Sequence, residues 1–401
     1  MFGYLFYLFT PYIIGVSEVF EGLPGIDLYQ GFFKLIPPEK LQTYLWITLS
    51  WLPAFYLGHL AFSVFGGRSK TVELFPATPT SDAVSYFAIL LMGVLVLFAY
   101  IGRQSLFGGY GSYDEGARGK ISTLLVLFNF FLVYQLISAQ KVSRVLIVGT
   151  VITCFFLLSM GGRMYVFQTF VVLLIYKTSF SPKKWKFRQV AIFSFLGFLI
   201  GSSFGLWRMG SSLNFEKSLY SFFAEPAFTW FSTSTYLIFN DLPAFNFPSN
   251  FFTSFLNLIP NTFFSFKPYI VSTGSMVNNY QNPLGADSVW STFVINFGYI
   301  GSFFFMFLTG FMLNFLKSLS TRHRFWGAYY IMVCGLLPFQ FFRDGFYILH
   351  KQLYFNFLFL PGFILLSLKT YLYLTSVWKK KQQRIATATL AAASENNAVT
   401  L

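Results

Sequence analysis

Residues 208–287 read RMGSSLNFEKSLYSFFAEPAFTWFSTSTYLIFNDLPAFNFPSNFFTSFLNLIPNTFFSFKPYIVSTGSMVNNYQNPLGAD. They separate two long hydrophobic runs, and no other stretch is at once as long and as chemically varied. Asn, Ser and Thr recur, prolines fall at Pro226, Pro243, Pro248, Pro260, Pro268 and Pro283, and isolated charges stand among aromatic rings. A long connection is usually functional or disordered. This one carries too much aromatic surface to stay unfolded. It reads as the working segment, held at a membrane face by the rest of the chain.

Outward from that stretch the composition is lipid-like. Of 401 residues 55% are hydrophobic, 22% aromatic and 10% charged, where a soluble domain carries roughly 25% charged residues. Apolar runs at 2–18, 41–65, 83–102, 120–139, 143–159, 164–179, 189–207, 288–314, 325–342 and 352–375 are each near the length that crosses a bilayer as a helix. The alternation of a transmembrane barrel is absent. The fold class expected is therefore all-α, a polytopic transmembrane bundle of about ten spans. The first run lacks a basic leader and a cleavage pattern, and reads as a span. Segment 219–239 is apolar too, but Glu225-Pro226 sits in its middle. A carboxylate in hydrocarbon is costly and an interior Pro opens the helix backbone. It is expected as a re-entrant or interfacial element of the large loop. Residues 1–378 then form one membrane domain, and 379–401 a basic cytoplasmic tail that is disordered beyond Arg384.

Charge sets the orientation. Lys379–Arg384, the turn at Arg322 and Arg324, and Lys183–Arg188 belong on the cytoplasmic side, with both termini. That side then holds 17 Lys and Arg against 3 acids, and the opposite side 11 of each. The net charge of +14 is thus a topology signal, and no nucleic-acid partner is implied. Residues 208–287 face outside the cytoplasm.

No phosphate-binding loop, Rossmann glycine pattern, HExxH or GxSxG occurs. Cys154 and Cys334 fall inside apolar runs and read as small buried hydrophobes. No metal site or cofactor is expected. What stands out on the outer face is arginine at span ends: Arg103, Arg163, Arg208 and Arg343. A planar, always-charged fork suits phosphate; the competing reading is that each snorkels to lipid and anchors its helix. Gly161 and Gly162 allow a close turn into Arg163. Lys267 stands among aromatics as a phosphate contact or a cation–π partner. Glu225 is the candidate general base, since burial beside Pro226 would raise its pKa; otherwise it caps, or pairs with an arginine. Asp287 reads as an N-cap for the helix after it, or as a substrate ligand. His350 is the one outward histidine and a candidate proton shuttle. Asn261, Asn278 and Asn279, beside Phe and Tyr, suit sugar hydroxyls and ring faces; an interfacial aromatic belt is the plainer account.

The turn MGGRMYVF at 160–167, WRMG at 207–210, NLIPNTFFSFKP at 257–268, NPLGADSVWSTFVINFGYIG at 282–301 and FFRDGF at 341–346 together resemble the Wzy-type O-antigen repeat-unit polymerases. The likeness covers most of the chain as topology and these pieces as sequence. It implies a metal-independent membrane glycosyltransferase that moves a glycan from one undecaprenyl pyrophosphate onto a new lipid-linked repeat. Arg163, Arg208 and Arg343 would hold the departing pyrophosphate, Glu225 or His350 would take the acceptor proton, and Arg103 and Lys267 would assist binding. Membrane lipids, a flippase and a chain-length regulator are the implied partners. Some family members carry two comparable outer loops, and here only one is large. An O-antigen ligase is the nearest alternative, although such enzymes tend to place a His in the large loop and 208–287 has none. A lipid-linked oligosaccharide flippase is the other, but internal repeats and charges within spans are absent.

Overall fold

The computed structural model describes residues 1–16, 26–65, 75–76, 79–106, 115–138, 142–208, 215–259, 263, 266–282 and 285–399. The chain is all-helical, 84% helix with no strand among the described residues. In chain order the helices are α1 (Phe2–Tyr4, a π turn Leu5–Phe9, then Thr10–Val16), α2 (Ile26–Leu35), α3 (Pro38–Phe65) and α4 (Pro79–Ile101). Next come α5 (Glu115–Leu136), α6 (Arg144–Ser159), α7 (Arg163–Ile175, extended by a π turn Tyr176–Phe180) and α8 (Phe187–Arg208). The outer segment contributes α9 (Phe215–Phe239), α10 (Ser249–Thr253), a 3-10 turn Ser254–Leu258, and α11 (Lys267–Val271). The chain ends with α12 (Val289–Ser320), α13 (Arg324–Leu336), α14 (Gln340–Arg343), α15 (Phe346–His350), a π segment Lys351–Phe359 and α16 (Leu360–Val399).

Six of these stretches are long and apolar enough to cross a membrane: Pro38–Phe65, Ala83–Ile101, Gly116–Leu136, Phe187–Trp207, Val289–Ser320 and Phe346–Arg384. Five of them keep 11–33% of their apolar window buried, whereas α5 buries 78%. The bundle is thus built around α5, and the others show lipid a broad apolar face. Asn129 and Gln135 on α5 bond outward to Thr169 (2.7 Å) and Ser85 (3.0 Å), tying it to its neighbours in the bundle.

The most intimate helix pair described is α3 with α12. A Cβ at Gly58 would overlap the Phe307 carbonyl, and one at Gly310 the Phe55 carbonyl, so small residues let the backbones touch. Trp51 donates to Ser302 (3.0 Å) and Asn314 to the His59 carbonyl (2.9 Å) across the same seam.

Two expectations change here. α1 rises about 22 Å at 1.5 Å per residue, short of a ≈30 Å hydrocarbon core. Its first residue lies against Trp51, Phe55, Met306 and Thr309, halfway along α3 and α12, where the sequence suggested a full crossing. The tail continues α16 to Val399; its run ATATLAAA is rich in alanine, the strongest helix former, and a disordered tail is not what the structure draws.

The segment that follows α8 is a folded layer. α12 breaks at Gly298 (φ +71°). There the carbonyls of Pro243 and Ala244 take the amides of Tyr299 and Ile300, both at 3.0 Å. Asn246 donates to the Ile295 carbonyl (2.7 Å), and Asn296 accepts the amide of Phe251 (2.7 Å). Phe251, Phe293, Phe297, Phe305 and Phe346 pack ring to ring behind these bonds. The segment is stitched to α12 and α15 and does not hang as a loop.

Candidate functional site

α14 ends at Arg343, after the chain turns through Leu337–Phe339. Its guanidinium is flanked by two carboxylates: Nε donates to Glu225 Oε2 at 2.7 Å and one terminal nitrogen to Asp344 Oδ1 at 3.0 Å. Glu225 sits in the middle of α9, which runs unbroken past Pro226. The expectation that burial would lift the Glu225 pKa is overturned. Burial does push it up, but the charges of Arg343 and Arg163 outweigh that and hold it below the usual carboxylate range. Glu225 is thus an ionised counter-charge in this state. Asp344 goes the other way, because burial prevails over the pull of Arg343.

Arg163 opens α7 two residues after Gly161 (φ +81°), a left-handed turn that suits glycine. Together with Glu225 and Tyr7 it lies at the polar end of a cavity of about 420 Å³. Beyond them the walls are apolar: Met164, Phe167, Val171 and Leu174 along α7, Val190, Phe193 and Gly197 along α8. From Arg163 to Leu174 the groove follows about 16 Å of helix. Gly201 lets Phe167 lie against α8, since a Cβ there would overlap the ring. The result is a narrow apolar trough with charge at one end.

Tyr7 was not singled out by sequence. It is 3% exposed, and its hydroxyl has no hydrogen-bond partner among the described residues. It is one of eight buried polar side-chain atoms without a partner among the described residues, and it stands where Arg163 and Glu225 meet the trough. A tyrosine inside the apolar run MFGYLFYLF gives no sequence signal of this.

No family model, curated protein or solved structure matches the chain. Function must therefore be read from the residues themselves.

A second buried knot adjoins the cluster. Asp287 is fully buried and accepts hydrogen bonds from Tyr280 (3.0 Å), Asn282 (3.2 Å) and Thr273 (3.3 Å). Burial outweighs these donors and raises its pKa to about 6. The N-cap reading is corrected: Ser288 caps α12, accepting from the Trp290 amide at 3.2 Å, and Asp287 instead ties three pieces of the outer segment together. Gly345, next to Asp344, is where this knot touches the arginine cluster, for a Cβ there would overlap Asp287 Oδ2.

The remaining candidates are scattered. Arg208 closes α8, and its side chain lies outside the described set. Asn261 also lies outside the described residues. Arg103 is exposed and lies over the Tyr100 ring at 4.4 Å. Asn279 adopts φ +58° in an exposed turn, which accounts for an Asn there without a ligand. Asn278, also exposed, offers its carbonyl to Asn240 (3.2 Å). His350 is 3% exposed, its Nδ1 2.8 Å from Ser254 Oγ and its ring 4.0 Å from that of Phe255. That packing suits a core histidine and leaves a shuttle no open path. Lys267 is buried and donates to the Ile259 carbonyl (2.7 Å). No group of His, Cys, Asp and Glu suited to a metal ion occurs among the described residues.

Proposed function

We propose that the chain polymerises lipid-linked oligosaccharide repeats at the outer face of a bacterial cytoplasmic membrane, with the basic turns and tail in the cytoplasm. The observation that carries this reading is the trough. An apolar channel with Arg163, Tyr7 and the Arg343–Glu225 pair at its polar end matches an amphiphile with a long hydrocarbon tail and an anionic head. Undecaprenyl pyrophosphate is such a molecule.

In this reading the tail lies along α7 and α8 while Arg163 and Tyr7 take diphosphate oxygens. Arg343 already carries two carboxylates, so a diphosphate that reaches it competes with Glu225. Displacing Glu225 removes its nearest cation, and its pKa rises. The carboxylate then becomes a better base toward the acceptor hydroxyl at the moment the donor is seated. Bond formation between that hydroxyl and the donor's anomeric carbon expels the diphosphate, whose charge the two arginines offset. A ligase would use the same donor site with a different acceptor, so the product separates the two.

The test is the surface glycan of cells deleted for this gene and carrying Arg163→Ala, with membrane abundance checked by immunoblot. The expected result is a lost long ladder, single-repeat material and normal abundance. An unchanged ladder rejects the site. Complete loss of ladder and single-repeat product alike in the deletion strain supports ligation instead.

A further inference from the structure

Residues 242–252, LPAFNFPSNFF, belong to none of the six membrane-length helices. Three of their phenylalanines nevertheless stand open: Phe245 is 64% exposed, Phe247 73% and Phe252 55%. The Phe247 and Phe252 rings lie 6.1 Å apart and make one patch. Phe245 joins that patch to α12, for a Cβ at Gly301 would meet its ring at 3.8 Å. From Gly301 the exposed face of α12 runs on through Phe304, Leu308 and Met312, away from the seam with α3. One apolar band therefore continues from the lipid face of the bundle onto the layer that follows α8. A contiguous exposed apolar patch marks a protein or membrane contact.

The polar groups of the stretch decide between occupants. No residue from Leu242 to Phe266 is charged. Asn246 is exposed, yet its amide donates to the Ile295 carbonyl (2.7 Å) and its oxygen accepts the Phe247 amide (2.9 Å). Ser249 Oγ donates to Met276 Sδ (3.7 Å), and its backbone amide to the Phe247 carbonyl (2.8 Å). The Phe252 amide is taken by the Pro248 carbonyl (3.2 Å), and Pro243 and Pro248 have no amide to satisfy. Internal pairing of this kind is what hydrocarbon demands. A sugar platform would instead keep amide and hydroxyl donors free beside its rings. A headgroup belt favours Tyr and Trp, whose polar tips reach water; phenylalanine has no such tip.

We propose that residues 245–252 are immersed in the hydrocarbon of the bilayer, with Phe245, Phe247 and Phe252 docked among lipid acyl chains. The layer is thereby anchored in the membrane beside α12, whatever the trough carries.

The experiment uses the full chain with Cys154 and Cys334 replaced by Ala, in phosphatidylcholine nanodiscs. A nitroxide is placed in turn on Phe247→Cys, Phe252→Cys, Leu308→Cys as a lipid-facing reference, and Asn278→Cys as an exposed one outside the patch. Power saturation reads collisions with oxygen, which gathers in hydrocarbon, and with a water-soluble nickel chelate. The expected result is loss of the chelate's effect at Phe247→Cys and Phe252→Cys, as at Leu308→Cys, with oxygen still relaxing all three. Asn278→Cys keeps the chelate's effect. Chelate relaxation at either phenylalanine site equal to that at Asn278→Cys overturns the immersion. Labels closed to both probes overturn it too, and dipolar broadening between copies then makes a second chain the occupant. Phe247 and Phe252 are both exposed, so their replacement leaves the packed core in place.

Discussion

Glu225 and Asp287 are two carboxylates of the 208–287 segment, the first half-buried and the second fully buried, and they are held in opposite ways. Glu225 is met by a guanidinium at 2.7 Å and stays ionised. Asp287 is met by a phenol, an amide and a hydroxyl, and its pKa climbs to about 6. Burial alone therefore does not decide protonation; the balance of burial against nearby charge does, since Asp344 is raised even with Arg343 at 3.0 Å. Neutral donors organise Asp287 into a structural knot. The cation makes Glu225 a charge that another anion can displace.

The largest expected effect comes from removing the cation. Arg343→Met leaves Asp344 buried without its guanidinium partner and strips Glu225 of its 2.7 Å contact, at a cost of about 3 kcal/mol, the low end for such a pair because Arg163 still acts on Glu225. The thermal midpoint in detergent should fall sharply at pH 7.5 and partly recover in Arg343→Met/Glu225→Gln. An unshifted midpoint would mean the pair carries no structural weight.

Asp287→Asn tests the other side. A folded pKa of about 6 against an unfolded value near 3.9 means folding retains a proton. That contribution is complete below about pH 4 and lost as pH rises through about 6, a swing of up to about 3 kcal/mol. Glu225, shifted down, contributes in the reverse sense: its share is present above the usual glutamate range and lost as pH falls through the lowered value. Asp287→Asn should flatten the melting profile between pH 4 and 6 and raise the midpoint at pH 7.5. A profile that keeps its slope there would show that another group sets it.

Gly345→Ala sharpens the comparison at the contact between the two. Its Cβ would press on Asp287 Oδ2, with an overpacking cost of about 1–3 kcal/mol. A lowered midpoint that Asp287→Ala relieves is the expected pattern, and an unchanged midpoint would place slack between Asp287 and Gly345.

The bundle character was legible because hydrophobic runs need no long-range information. So was the turn into Arg163, since Gly161-Gly162 before a lone arginine is a local signal. Partnership was legible only as an alternative, that Glu225 pairs with some arginine, and not as to which one. Glu225 and Arg343 are 118 residues apart, so the sequence suggested each as a candidate without the pair that sets the charge of both. Asp287 looked like a cap because Ser288, the true cap, is its neighbour. The break at Gly298 hid inside an apolar run, for its cause is a pair of carbonyls more than fifty residues upstream.

That break has a mechanical consequence. Where α12 gives up two of its own carbonyls, Pro243 and Ala244 act as a splice. Peeling the outer layer away would strand two amides in apolar surroundings, at about 1–3 kcal/mol each. The layer and the long rod beneath it therefore move as one rigid lever. Tilting the rod would carry the layer with it.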